Sequence, residues 1–430
     1  MLRKNHLLFV AMLVASPIVL PGTTAHCAEP TVAAAASPTP AQFLDRAKLQ
    51  DALAAHRWDE LDGAFETAQT AYESARSRAT EEVVLHALGT FRFPRPNRLE
   101  ALQAWTEARP QSPFAFAARG LATAEAVRRA RGGLESALKS SREAKAWGEA
   151  FATAEGFLQQ AVAFRPKLSA ASCELIGLFM QTRRFRQGDE IFRTARRQDS
   201  FSYALRAANL DHLTPNWGGE LTGVNAAANS PRPYFPRNPG MEALAGFLPW
   251  AIGLGYAGVG DFENAQVHFA RAQAEGSDRR FDVAVAEALA REGRWLEAVQ
   301  AWERANQAWP DHPPYLAAMA LAQVGAGEPN EAQATLARVR LLDPDSHGAV
   351  TAKRALDRAR RGLDCKNFKE LARTVLADCT PSGCTSPESR AAREIVGDIR
   401  GFLLCRTAFA DPQVQAAFWV AVEADQHKAD

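Results

Sequence analysis

Runs of β-branched residues are scarce in this sequence, and after residue 20 no segment is apolar enough to cross a bilayer, which takes about 20 consecutive apolar residues. A basic excess is also missing. The chain has 50 Lys and Arg against 49 Asp and Glu, for a formal charge of +1. Binders of nucleic acid or of anionic membranes concentrate positive charge, so this balance argues against both. Catalytic signatures are missing too. There is no H-E-x-x-H, no G-x-S-x-G, no P-loop and no dinucleotide fingerprint. Gly253, Gly255 and Gly258 fall inside a helical pattern with no strand before them, which rules out a phosphate cradle. Nine histidines are scattered. Only His212, beside Asp211, invites an acid/base reading, and a helix-end or solvent-facing pair is the commoner arrangement. Pairs such as Asp59–Glu60 and Glu81–Glu82 are expected on solvated helix faces. No catalytic residue, cofactor or metal site is expected.

Hydrophobic residues make up 47% of the chain. Alanine is abundant and has the highest helix propensity, so the composition leans all-α. The first 28 residues read as a secretory signal. Arg3 and Lys4 give a basic start, and Leu7 to Leu20 forms an apolar stretch too short for a span. Cleavage after Ala25 would place the small Thr23 at the −3 position. Cleavage after Ala28 would place His26 there, and His26 also weakens a lipoprotein reading of Cys27. Removing Arg3 and Lys4 takes the charge from +1 to −1. Residues 29–40 are a Pro/Ala-rich tether, expected to be disordered. The mature protein is expected in the periplasm or outside the cell.

Helical periodicity begins near Ala41, and a repeat emerges within it. Gly253, Tyr256, Gly260, Phe262, Ala265, Phe269 and Ala272 make one unit. Gly293, Trp295, Ala298, Trp302, Ala305 and Pro310 make the next, and Gly327, Ala332, Leu336 and Pro344 a third. Ala265, Ala298 and Ala332 are spaced 33 and 34 residues apart. A small residue is needed where two helices cross closely. Glycine suits the left-handed residue that ends a helix, and proline stops the second helix. Aromatics such as Tyr256, Phe269 and Trp302 are expected to fill the space between pairs. Over residues 241–345 this pattern resembles the tetratricopeptide-repeat family. The resemblance implies stacked helix pairs and a concave surface that binds another protein. The third unit departs from the pattern at Pro329, where an aromatic is usual, so a different turn is expected there.

Upstream, Gly148, Ala154, Leu158, Ala161 and Pro166 form a weaker register, followed by Phe179, Phe185, Gly188, Phe192 and Ala195. The run Arg129-Ala130-Arg131-Gly132 and the later Pro215-Asn216-Trp217-Gly218-Gly219-Glu220 resemble the R-A-R-G and P-x-W-G-G-S patterns of an uncharacterised bacterial family. Glu220 replaces the usual Ser. That family is helical and often exported, which implies a fold and no activity. These features divide the chain into a helical repeat domain at 41–210, a Pro-rich loop at 211–240, the repeats at 241–345 and Cys-containing helices at 346–430. Within the loop a short helix from Glu220 to Ala228 is expected. The Pro-rich run after it, with Tyr234, is expected to be non-helical and to cross the surface of the solenoid.

Four cysteines cluster at the C-terminus. In an exported chain an even set suggests disulfides. Helices at 363–377 and 387–406 would form a hairpin, with Cys365 paired to Cys405 at its open end and Cys379 to Cys384 across its loop. A four-Cys zinc site usually shows two short knuckles, and this sequence has one close pair. Cys173 is expected to be a small buried residue. The fold class is therefore an all-α, helix-pair solenoid with a disulfide-stapled C-terminal hairpin. Arg128 and Arg131, in a basic cluster with Arg129, are candidates to grip a partner's carboxylate. Trp217 and Tyr234 are candidate anchors. The expected function is a non-catalytic interaction scaffold with a protein partner, not nucleic acid. The alternative is a glycan or small-molecule binder or enzyme that uses the 211–240 loop and the Arg cluster.

Overall fold

One left-handed turn, repeated five times, organises the molecule. A computed structural model describes residues 43–93, 97–130, 141–360, 365–380, 383–386, 389 and 416–417. The N-terminal helices are α1 (Arg46–Ala54), α2 (Trp58–Ala75), α3 (Arg78–Gly89), α4 (Arg98–Ala108), α5 (Pro113–Ala130), α6 (Ser141–Phe164), α7 (Ser169–Gln181), α8 (Phe185–Gln198) and α9 (Tyr203–His212). After them come α10 (Leu221–Asn229), α11 (Phe247–Gly258), α12 (Phe262–Ala274), α13 (Arg279–Glu292), α14 (Trp295–Ala308), α15 (Pro313–Ala326), α16 (Pro329–Leu342), α17 (His347–Arg360) and α18 (Cys365–Asp378).

The repeated turn joins α1 to α2, α7 to α8, α11 to α12, α13 to α14 and α15 to α16. Its left-handed residues are His56, Arg183, Gly260, Gly293 and Gly327. In each case the next residue donates its N–H to the carbonyl five positions back: Arg57 to Ala52, Arg184 to Phe179, Asp261 to Tyr256, Arg294 to Leu289 and Glu328 to Gln323, all at 2.7–3.0 Å. This bond satisfies a carbonyl that the ending helix leaves open. The second helix starts two residues after the left-handed one. Three residues further on, Leu61, Gly188, Ala265, Ala298 and Ala332 are all buried at the crossing. The third repeat therefore keeps the same turn as the others, contrary to the expectation raised by Pro329. Proline occupies the first helical position of α16, where its missing N–H costs nothing.

Three further expectations are corrected. Tyr256 is exposed and stacks on His268 with ring centroids 5.4 Å apart. Phe269 and Trp302 do fill the core. Gly148 lies within the 24-residue α6 and ends no helix, although Ala154, Leu158 and Ala161 are buried as their register requires. The 211–240 segment is folded against the body. The predicted short helix is α10, a single 3-10 turn forms at Arg232–Tyr234, and an eight-residue 3-10 helix at Pro239–Gly246. Both begin with proline among their first residues, so the ring's fixed φ helps them form. Tyr234 and Phe235 pack on a core that includes Phe201, Tyr203 and Met241.

At the C-terminus Cys379 and Cys384 form a disulfide across a two-residue antiparallel pairing with Thr380 and Gly383. Cys405, the side chain of Cys365 and nearly all of the second hairpin helix lie outside the described residues. Cys173 is a half-buried free thiol, and burial pushes its pKa up. Among the described residues no helix is long and apolar enough to cross a membrane.

The crossing of α11 and α12 yields a prediction. A Cβ at Gly253 would lie 2.5 Å from the buried Phe269 ring and 3.1 Å from the Ala265 carbonyl oxygen. Gly253→Ala is expected to cost about 1–3 kcal/mol through overpacking. Gly255, on the same helix, has nothing within 4 Å, and Gly255→Ala should be neutral or stabilising by up to about 1 kcal/mol. The thermal unfolding temperature should fall for Gly253→Ala and hold or rise for Gly255→Ala.

Candidate functional site

Helix α3 runs between the N-terminal helices and the loops that connect successive helix pairs. Ser77 caps its first turn by accepting from the Thr80 N–H. At that end the Arg78 N–H donates to Asn238 Oδ1 at 3.1 Å, and Asn238 Nδ2 donates to the Phe201 carbonyl at 3.0 Å. The Arg78 guanidinium bonds Glu82 at 2.7 Å and the Ser277 carbonyl, and it sits 3.9 Å from the centre of the Tyr203 ring. Tyr203 in turn donates to Asp278 Oδ2 at 2.6 Å. Arg78, Arg279 and Arg280 surround Asp278. Although burial opposes ionisation, these charges hold its carboxyl well below the usual range.

Further along α3, Glu81 is 1% exposed. It accepts from Ser202 Oγ and, at 3.0 Å, from the Ala204 N–H, so it supplies an acceptor to the first turn of α9. Burial raises its pKa to about 7. The expectation that Glu81 and Glu82 lie on a solvated face is thus overturned. Both are buried, because the residues that surround α3 come from positions 120–200 further along the chain. At the far end of α3, His86 Nε2 lies 2.9 Å from the Pro310 carbonyl oxygen. Arg46 reaches the carbonyls of Gly89, Pro310 and Asp311. Burial and the nearby Arg46 push the His86 pKa down to about 4. Beyond α3, Arg129 grips Asp343 with two bonds, at 2.8 and 2.5 Å. The loops after α12, α14 and α16 are therefore each tied to an N-terminal helix.

The candidate residues fall into this framework in different ways. Arg128 is buried. Its guanidinium bonds Glu174 and, more weakly, Glu125 and Gln181. Arg92 also binds Glu174, at 2.5 Å. The carboxylate that Arg128 grips is therefore internal, and the guanidinium is turned away from solvent. Arg131 lies outside the described residues. Tyr234 packs edge-on against Phe201 at 5.3 Å and carries Arg206 over its face at 5.0 Å. Trp217 is half-exposed in a turn that lies against α11. The W-G-G run makes that turn possible. Gly218 takes a φ of 89°, and a Cβ at Gly219 would collide with the Leu213 carbonyl. Asp211 and His212 diverge. Asp211 pairs with Arg280 at 2.9 Å, and His212 Nε2 lies 3.5 Å from Asp189. Burial lowers the His212 pKa. Among the described residues no group of three or more His, Cys, Asp or Glu could hold a metal ion.

Residues 289–356 match the tetratricopeptide-repeat family, and residues 45–181 match a family described as a domain of unknown function, DUF4034. The second match takes in Arg129 and stops before the W-G-G turn. No curated protein matches. Solved structures with similarity include the following three. The chain is 14% identical to YrrB, described as a TPR protein with an unusual peptide-binding site, over 60% of this chain and 99% of that one, with a TM-score of 0.25. It is 15% identical to a chain of the APC/C hetero-tetramer Cut9–Hcn1, over 69% of this chain and 59% of that one, with a TM-score of 0.30. It is 11% identical to a monomeric mutant of IFIT1 with Gppp-AAAA, over 88% and 79%, with a TM-score of 0.32.

Proposed function

We propose that this protein is an exported, non-catalytic scaffold that binds a protein partner on the helix pairs of 241–345. The observation that carries the reading is the pair-and-turn unit, repeated with the same hydrogen bond and the same small crossing residue. Stacks of such units present long surfaces to other chains, and part of this region matches the tetratricopeptide-repeat family. Arg128, Arg129, Asp211 and Glu81 are engaged in internal ion pairs and caps, which supports a structural role for them. The Cys379–Cys384 disulfide is of the kind that persists in oxidising compartments, which supports export.

The loops between pairs are tied to the N-terminal helices, which favours the opposite, left-handed turns as the partner surface of this reading. There Val259 is 81% and Leu296 58% exposed. Beside Leu296, a cavity of about 340 Å³ is lined by Gly293, Trp295, Gly325 and Ala326. Deleting 241–345 would strip the N-terminal helices of their own partners, so point changes are the better test. The tagged mature protein is crosslinked in cells beside a Val259→Glu/Leu296→Glu variant. A reproducible protein partner that is lost in the variant supports the reading. A partner retained by the variant refutes this surface, and the absence of any protein partner refutes the scaffold.

A further inference from the structure

Helix α8 concentrates positive charge in a molecule that otherwise balances it. From Arg183 to Arg197 the sequence RRFRQGDEIFRTARR holds six arginines, two carboxylates and no lysine. Arg186, Arg193, Arg196 and Arg197 are all exposed. Their bonds go to neutral groups: Arg193 Nε donates to the Asp189 carbonyl at 3.2 Å, and Arg197 donates to Thr194 Oγ1 at 3.1 Å. Arg196 stands over the Phe192 ring at 5.8 Å. Among the described residues no ion pair joins any of these four to a carboxylate, and Asp189 is the partner of His212.

Arg186, Arg193 and Arg197 fall on one side of the helix, spaced seven and four residues apart. With Gln187, Glu190 and Thr194 they line one open concavity of about 600 Å³. Glu190 is the single carboxylate in that lining, which leaves it at 3 − 1 = +2. Three guanidiniums are thus set along roughly 16 Å of helix. The surface stays open because of where α8 sits. The second helices α12, α14 and α16 are each followed by another regular helix pair or its first helix, whereas α8 is followed by the single α9 and then the Pro-rich segment. The main contacts of α8 are with α7 and α9.

We infer that the α8 concavity is a docking site for an acidic segment of a partner protein. The charge is unneutralised, and it is carried by arginine, whose planar fork matches a carboxylate with two parallel bonds. The lining contains no aromatic ring, whereas single-stranded nucleic-acid sites interleave basic groups with rings that stack on bases. That contrast favours carboxylates over a nucleic-acid backbone. The inference rests on the scaffold reading but uses a different surface, so the two can fail separately.

The test is fluorescence anisotropy of the mature protein with a labelled Glu-rich peptide of about twelve residues, at low and high salt. The wild type is expected to bind at low salt and weaken as salt rises, since the charges are exposed. Arg186→Ser/Arg193→Ser/Arg197→Ser is expected to lose about tenfold or more in affinity with an unchanged circular dichroism spectrum. Val259→Glu/Leu296→Glu should bind the peptide as the wild type does. Three results would each overturn the inference: no binding by the wild type, equal binding by the triple-serine variant, or tighter binding of a single-stranded oligonucleotide of equal charge.

Discussion

Glu174→Ala is expected to destabilise the protein by about 3–5 kcal/mol, the range found when one member of a buried ion pair is removed. Glu174 is 7% exposed and accepts from two guanidiniums, Arg92 and Arg128. Burial alone would raise its pKa, but Arg128 and Arg92 outweigh that effect and hold it at about 2. Without it, Glu125 would be the remaining carboxylate for both arginines, at 3.4 Å from Arg128 and 3.9 Å from Arg92. Two largely buried cations would then share one distant partner. Replacing all three residues together, as Arg92→Met/Glu174→Leu/Arg128→Met, removes the charges along with their desolvation and should cost less than Glu174→Ala alone. Urea unfolding monitored by circular dichroism measures both. A loss below about 1 kcal/mol for Glu174→Ala would show that Glu125 suffices.

Glu81 should give the stability a pH dependence of unusual sign. Its folded pKa of about 7 stands above the ordinary 4.5, chiefly through burial, with the Asp199 charge adding to it and bonds from Ser202, Ala204 and Ser169 opposing it. Between pH 4.5 and 7 the folded state binds more protons at this site than the unfolded chain does. Stability from Glu81 is therefore full below about pH 4.5 and falls as pH rises, by about 3 kcal/mol at pH 7 and above. Histidines act the other way. Burial lowers the pKa of His86, His212, His268 and His312. His86 therefore adds stability as pH climbs from about 4 toward 6.5, and the other three add theirs as pH rises toward 6.5. Glu174 loses its contribution only below pH 4.5. The clean quantity is the difference between wild type and Glu81→Gln, measured by urea unfolding at pH 5 and pH 8. The variant should gain on the wild type by about 2.5 kcal/mol between those points. A difference that does not change with pH would mean that Glu81 is ionised throughout, as an exposed glutamate is.

The repeats were legible because their determinants are local. Ala265, Ala298 and Ala332 announce a close crossing, and Gly260, Gly293 and Gly327 announce a left-handed turn, each within its own unit. The same turn at His56 and Arg183 carries no such mark. A side chain other than glycine can occupy that region at a cost of about 1–2 kcal/mol, and composition then says nothing. The roles of Glu81, Glu82 and Arg128 were hidden for a different reason. A charged residue on a helix reads as solvated unless its partner is in view, and here Arg128 meets Glu174 46 positions away, Glu81 meets Ser202 121 positions away, and Glu82 is covered through Arg78, whose own partners Asn238 and Ser277 lie 160 and 199 positions away. The packing of Tyr234 was hidden similarly, since its neighbours Phe201 and Arg206 come from another segment. The Pro-rich run suggested a non-helical chain, yet Pro233 and Pro239 sit in the first positions of 3-10 helices, which accept them.

The ties from Arg46 to Pro310 and from Arg129 to Asp343 span 264 and 214 residues. An ordinary solenoid folds from contacts between neighbouring repeats, and those can form as each unit leaves the ribosome. These ties cannot. At 5–20 residues per second, the chain needs roughly 10–50 s after making Arg46 before Pro310 exists. During that interval the early helices have formed partners among themselves but not the loops that finally cover them. The N-terminal half is made first and fastened last, which leaves it open to a holding chaperone until residues 310–343 have been made.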